Sequence, residues 1–388
     1  MKDFKLTQQF MRSQQIDAWL IYDFRGSNPI LDLIFGERWT TRRNCLIVPA
    51  EGKVLGIAHA IDKNAFPKSV DQHLYRSWEE FSSLLRISLS RFSRIAMEYS
   101  PGGMLPTIGI VDAGAIELIR SFGKEVVSSA DIYQIATSVW PKTALDQQRE
   151  TALKVDDIKN SAFDLISRHA ASGNQISEFE VQEFITEQFE SHQLETDEPP
   201  IVAFGRHSGD PHYQPTKSTA SKIPGEQWVL IDLWAKKKHQ DAVFADITWV
   251  ASVGKPSEQQ RLIFDIVRGA RDLVVKRATE DWMNGRVSQG WELDRVARNY
   301  ISEKGFEKYF IHRTGHSMGP GKHLHALGVN LDDLETHDTR KVIPGVGFSV
   351  EPGIYLPEFG VRLEIDVYVH PEEGPIVTSS KQDTIIEL

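Results

Sequence analysis

Asp232, Asp246, His316, Glu351 and Glu364 have the side-chain types and local surroundings needed to hold two divalent cations side by side. Four carboxylates carry about as much negative charge as two such ions carry positive. Buried without cations the set is costly, because neighbouring like charges each resist ionisation. With cations it becomes a charge-balanced, oxygen-rich cage, and the single imidazole suits manganese, iron, cobalt or zinc better than calcium. Two ions of this kind acidify a shared water and polarise a bound carbonyl, so the expected chemistry is hydrolysis.

Each donor sits in a segment whose pattern calls for an explanation. Trp228 to Leu233 and Val243 to Val250 read as the arms of a β-hairpin joined by the polar turn KKKHQD. Asp232 closes the apolar run of one arm. Asp246 interrupts the other between Ala245 and Ile247, where a carboxylate needs something to satisfy it. In VRLEIDV one strand is expected, with Val361, Leu363, Ile365 and Val367 on one face and Arg362, Glu364 and Asp366 on the other. In FSVEPGIYL, Ser349 and Glu351 alternate with Phe348 and Val350 before Pro352 and Gly353 turn the chain. A solvent-exposed edge strand would alternate in the same way, so these two strands point to a site only together with the aspartate hairpin. Most of the thirteen histidines need no special reading. His316 stands apart in HRTGHSMGPGKHLH, where Gly315, Gly319 and Gly321 let backbones approach closely and histidines crowd. His212, in DPHYQPT, is unremarkable by itself.

Behind these segments lies an ordinary scaffold. Apolar runs at Ala18 to Tyr22, Cys45 to Val48 and Val54 to Ala58 read as short strands, with another near Ile95 to Met97. Trp78, Phe81, Leu84, Leu85 and Leu89 recur at helical spacing. Trp140, Pro141 and Lys142 mark the expected boundary between a domain of residues 1–140 and one of 141–388. Helical stripes follow at Leu153 to Ile166, then after Ser177 with Glu180 and after Ser257 with Gln260, both capping-box pairs. A last stripe from Leu293 to Ile301 stops at Gly305.

Composition narrows the class. With 44 basic and 54 acidic residues the net charge is −10, and no basic block stands out, so nucleic acid is not an expected partner. The single cysteine, Cys45, leaves no intrachain disulfide to form and fits a reducing compartment. MKDFKLTQQFMRSQQ lacks the apolar core of a signal peptide, and no stretch approaches the roughly 20 apolar residues of a membrane helix. A cytoplasmic protein without membrane contact is expected.

From about residue 150 the chain resembles the pita-bread metallopeptidases, a family that includes aminopeptidase P, prolidase (Xaa-Pro dipeptidase), methionine aminopeptidase and the metal-free creatinase. The resemblance is carried, in the family's order, by PPIVAFGRHSGDPHY, VLIDLWAKKKHQDAVFADIT, HRTGHS, FSVEPGIY and GVRLEID. Residues 1 to about 140 resemble the N-terminal domain of the creatinase, prolidase and aminopeptidase P branch. The implied fold is α/β (α+β): a creatinase-like N-terminal domain followed by a pita-bread catalytic domain.

The resemblance implies that Asp232 chelates one ion, that Asp246 and Glu364 bridge both, and that His316 and Glu351 complete the second position. His212 would contact substrate and help move protons, and Arg362 would hold Glu364 and the bridging region through charge-assisted hydrogen bonds. Glu351 would also take the water proton and pass it to the leaving nitrogen. The family's second histidine aligns with His325, with His323 as the alternative. Two departures stand out. The aspartates are 246 − 232 = 14 residues apart, a longer hairpin than is common in the family. Trp234 and Trp249 stand where the common motifs carry glycine and arginine, and are expected to reshape the pocket wall. The implied activity is hydrolysis of Xaa-Pro bonds by a dipeptidase acting on a small peptide with proline second. An Xaa-Pro aminopeptidase shares all five ligands. A metal-dependent lyase or a C–N hydrolase uses the same scaffold, and a non-enzymatic binding module should show eroded ligands. Manganese is the expected metal, with cobalt, zinc or iron as alternatives, and a homodimer is implied.

Overall fold

The computed structural model describes residues 4–223 and 227–388. The chain divides into two compact units, Met1–Thr137 and Ser138–Leu388. Among the described residues no helix is long and apolar enough to cross a membrane.

The first unit is built on a mixed six-stranded sheet, in spatial order Asp71–Tyr75, Leu55–His59, Arg43–Pro49, Ala18–Phe24, Arg94–Met97 and Glu125–Ser128. The apolar runs of the sequence are its central strands. Asp71–Tyr75 escapes the pattern because it buries Tyr75 alone. The helix Trp78–Ser88, capped by Ser77 Oγ accepting from the Glu80 amide, buries Phe81 and Leu85. Trp78 begins the predicted stripe yet is 70% exposed. Asp23, Asp62 and Glu98 are buried acids of this unit. Glu98 accepts from Trp19 Nε1 at 2.6 Å, Asn28 Nδ2 at 2.7 Å and Ser129 Oγ at 3.0 Å. Burial outweighs those donors and raises its pKa to about 7.

In the second unit the strand Trp228–Lys237 pairs antiparallel with Ala245–Ser252 on one side and Ile201–Phe204 on the other. Its two faces meet different partners. Ile231, Leu233 and Ile247 pack with Val155, Ile158 and Phe163 of the helix Ala144–Ser172 and with Val181, Ile185 and Phe189 of the helix Glu178–Ser191. Trp228, Leu230 and Val250 face a second core with Ile263 and Val267 of the helix Glu258–Met283 and Leu293 and Ala297 of Gly290–Glu303. That core also takes in a four-stranded sheet ordered Ser317–Met318, Gly347–Val350, Ile365–His370 and Gly374–Val377. Both capping boxes are formed, at Ser177 with Glu180 and at Ser257 with Gln260.

Three expectations need correction. VRLEIDV is two strands, Gly360–Arg362 pairing with Gly353–Tyr355 and Ile365–His370 pairing with Gly347–Val350. The chain breaks at Leu363 and Glu364, so Glu364 leaves the ladder, and its amide reaches across to Thr248 O at 3.2 Å. The turn lies later than KKKHQD reads, because Lys236 and Lys237 continue the strand and pair with Leu194–Glu195, while the second arm begins only at Ala245. Trp249 does not line the cavity. It lies opposite Ile231 on the helix-covered face, with Lys159 Nζ 3.3 Å from its ring centroid.

Candidate metal centre

Strand register brings the aspartates together. Trp234 stands opposite Asp246 and Thr248 opposite Asp232, so Asp232, Trp234, Asp246 and Thr248 project from one face of the hairpin. Glu364 enters from the break after Arg362. His316 arrives on the segment leading into Ser317–Met318, whose closeness to Gly347–Val350 requires glycine before it: a Cβ on Gly315 would lie 2.0 Å from Ser349 O. Ligand atoms of Asp246, His316 and Glu364 lie within 4.8 Å of one another, and all three side chains are buried. His316 Nε2 is 3.3 Å from Asp246 Oδ2 and 3.7 Å from Glu351 Oε1. Asp232 borders the same cavity of about 660 Å³, which also meets His212, Trp234, His325 and Arg362.

Hydrogen bonds set the orientation of this set. His316 Nδ1 lies 3.2 Å from Ser317 O, so its proton belongs on Nδ1 and the Nε2 lone pair faces the carboxylates, as a metal ligand requires. Burial, then neighbouring His325, lower the His316 pKa to about 3, so the ring is neutral. Ser349 Oγ accepts from the His316 amide at 2.9 Å and donates to Glu351 Oε1 at 3.1 Å, linking two donors through one hydroxyl. The Asp246 amide donates to Asp366 Oδ2 at 3.1 Å, and Gln148 Nε2 donates to the same oxygen at 2.7 Å.

Arg362 acts differently from the expectation. It pairs directly with Asp232 and reaches Glu364 through Thr248: Arg362 Nε donates to Thr248 Oγ1 at 3.0 Å, and Thr248 Oγ1 donates to Glu364 Oε2 at 2.7 Å. Its Nη1 also donates to the Tyr355 hydroxyl at 3.2 Å, which His312 Nε2 meets at 2.7 Å. Burial works against the guanidinium charge, but Asp232, Tyr355, Glu351 and Glu364 together outweigh it and hold the pKa well above the ordinary range. Thr248, Tyr355 and Gln148 are residues that sequence reasoning missed. Thr248 could have been found two residues beyond Asp246 on the same strand face. Gln148 carried no local signal, since its partner lies 218 positions away.

Whether cations fit here is decided by the oxygens that nothing satisfies. Asp232 Oδ1, Asp246 Oδ1 and Glu364 Oε1 are buried without a hydrogen-bond partner. Burial, then the charges of Glu364 and Asp232, push Asp246 well above the ordinary carboxylate range. Burial, then Glu351 and Asp232, raise Glu364 likewise, against the pull of Arg362 and Thr248. Crowded, desolvated carboxylates with free lone pairs beside a neutral imidazole suit divalent cations.

Of the two candidate histidines, His325 lies against His316 with ring centroids 4.2 Å apart and planes tilted by 48°, and burial, then Arg313, lower its pKa to about 4. His323 also borders the cavity, but its side chain is 81% exposed and 3.7 Å from Asp197. His212 is exposed at the cavity rim. Trp234 forms part of the wall, its indole N–H donating to Asp197 Oδ1 at 2.8 Å.

Residues 148–371, more than half of the chain, match the model of metallopeptidase family M24. The chain belongs to that family. It is 35% identical over 165 residues to an Xaa-Pro dipeptidase of Lactobacillus helveticus, covering 42% of this chain and 40% of that protein. The matched stretch thus spans less than half of that relative's length. Among solved structures, the dipeptidase PepE from Mycobacterium ulcerans superposes with a TM-score of 0.66 at 18% identity, over 99% of this chain and 96% of that one. An X-prolyl aminopeptidase from Caenorhabditis elegans, described as a cytosolic enzyme with a di-nuclear active site, gives 0.64 at 16% identity, over 100% of this chain and 64% of that one. At such identities the likeness is one of fold. It is the two-domain pita-bread fold, with Asp232, Asp246, His316, Glu351 and Glu364 in its second unit.

Proposed function

We propose that this M24 protein is a dinuclear-metal Xaa-Pro dipeptidase. The observation that carries the reading is the convergence of orphaned carboxylate oxygens from Asp232, Asp246 and Glu364 beside neutral His316, in a chain whose matched segment is 35% identical to an Xaa-Pro dipeptidase. Asp232, Asp246, His316, Glu351 and Glu364 would hold the ions. When bound, divalent ions supply Lewis acidity to the scissile carbonyl and acidify the attacking water. Glu351, whose Oε2 takes no protein donor among the described residues, accepts the water proton and returns it to the leaving nitrogen. His325, neutral above about pH 4, keeps one ring N–H to donate to the oxyanion that develops on the carbonyl. His212 contacts the substrate at the rim, and Arg362 keeps Asp232 and Thr248 in register. A proline leaving nitrogen carries no N–H in the substrate, so enzymes that hold that N–H discriminate against this bond.

Manganese as the working metal, a homodimer, a cytoplasmic location, a creatinase-type domain at residues 1–140 and a catalytic domain at 141–388 complete the proposal. It is tested by following release of the amino-terminal residue from Gly-Pro, Leu-Pro and a Leu-Pro-Gly tripeptide with added manganese. Release from the two dipeptides alone supports it. Cleavage of the tripeptide with equal efficiency identifies an aminopeptidase, and no turnover of any of the three defeats the hydrolase reading.

A further inference from the structure

Glu178 is completely buried, yet the chemistry above does not use it. It opens the helix Glu178–Ser191, where the aligned peptide dipoles favour an anion. Its two oxygens gather donors from both ends of residues 204–221. Oε1 accepts from the Phe204 amide at 2.5 Å and lies 3.0 Å from His207 Nδ1. Oε2 accepts from the Tyr213 hydroxyl at 2.7 Å and the Ser221 amide at 2.6 Å, and also lies 3.0 Å from His207 Nδ1. The His207 and Tyr213 rings stack with centroids 4.3 Å apart. Burying a carboxylate is costly unless charge-assisted bonds compensate, and here four groups converge on it.

What these bonds hold is the segment that carries His212. From Asp210 to Ser221 the backbone has no helix or strand, so no ladder of hydrogen bonds fixes it. Pro211, His212 and Gln214 line the cavity. Arg362 Nη1 donates to Pro211 O at 3.4 Å on one side of His212, and Glu178 takes the Tyr213 hydroxyl on the other. We propose that Glu178 is a positioning residue for the hydrolysis: by fastening Tyr213 it sets where His212 meets the substrate. This deepens the Xaa-Pro reading and rests on it.

A double-mutant cycle on kcat/KM for Leu-Pro tests the proposal. Glu178→Gln preserves volume but turns an amide N–H2 toward donors. The expected result is a loss of about tenfold in the wild-type background, with bound metal unchanged, and less than about twofold in a His212→Ala background. Equal losses in both backgrounds overturn the proposal, because a general structural defect would be additive. If Glu178→Gln fails to fold, Tyr213→Phe removes a single tether and runs through the same cycle. A readout without turnover separates this idea from the functional reading. In protein labelled with 15N-histidine, the His212 ring signals, identified by their loss in His212→Ala, should shift or broaden in Glu178→Gln. Unchanged signals sink the positioning role even if Xaa-Pro hydrolysis stands. Shifted signals in a protein that releases no proline uphold the tether and reject the activity.

Discussion

On the proposed reading, Asp246 serves the metal site at the expense of the metal-free fold. It is buried beside Glu364 and Asp232, and one of its oxygens has no partner. Asp246→Asn should therefore cut bound metal and proline release together, by more than about a hundredfold in rate, while the protein remains folded. Removing a like charge from the cluster should leave the apo protein at least as heat-stable as wild type. Metal analysis beside a thermal melt checks both parts, and a fully metallated, active variant refutes the assignment. Glu98 illustrates the same physics in the first unit. Its folded pKa of about 7 lies above the ordinary 4.5, so between those values the folded state binds a proton that the unfolded state has released. The contribution of Glu98 to the stability of that unit should accordingly be full below about pH 4.5, fall by on the order of 3 kcal/mol as pH rises to about 7, and then level off. Urea denaturation across that range is the measurement. Glu98→Gln should remove the slope, and a slope that persists assigns it elsewhere.

Secondary-structure elements hold the donors in place through caps, register and breaks. The helix Glu258–Met283 supports the core beneath the site and begins with a reciprocal pair, the Ser257 amide donating to Gln260 Oε1 at 2.7 Å and the Gln260 amide to Ser257 Oγ at 3.1 Å. Ser257→Ala leaves that first turn with an unsatisfied amide and should lower unfolding stability by about 1 kcal/mol with unaltered proline release. A chemical-denaturation midpoint identical to wild type would show that the cap contributes nothing here. Capping pairs were readable in advance because they need only residues three apart. The break at Leu363 and Glu364 was not, because alternation in VRLEIDV describes a continuous strand equally well. Two different partner strands decide it.

At the scale of the whole molecule, bound ions are expected to stabilise the native protein, because the unfolded chain scatters the donors over 364 − 232 = 132 positions. Free metal at about a hundred times its dissociation constant adds about 2.7 kcal/mol, so chelation should lower the melting temperature by about 5–10 °C, reversibly on adding manganese. A melt indifferent to chelator would argue that the site holds no ion. The same distances explain what could be read beforehand. Residue types, strand alternation and helix caps are local properties, and they sufficed to find the hairpin and both capped helices and to single out five candidate ligands. Convergence is not local. Only the packing of distant strands could pair Arg362 with Asp232, put Thr248 between Arg362 and Glu364, turn Trp249 to the helix-covered face and bring His325 rather than His323 against His316. Side-chain chemistry is written residue by residue, whereas burial and distance, which raise Asp246 and neutralise His316, exist only once the chain has folded.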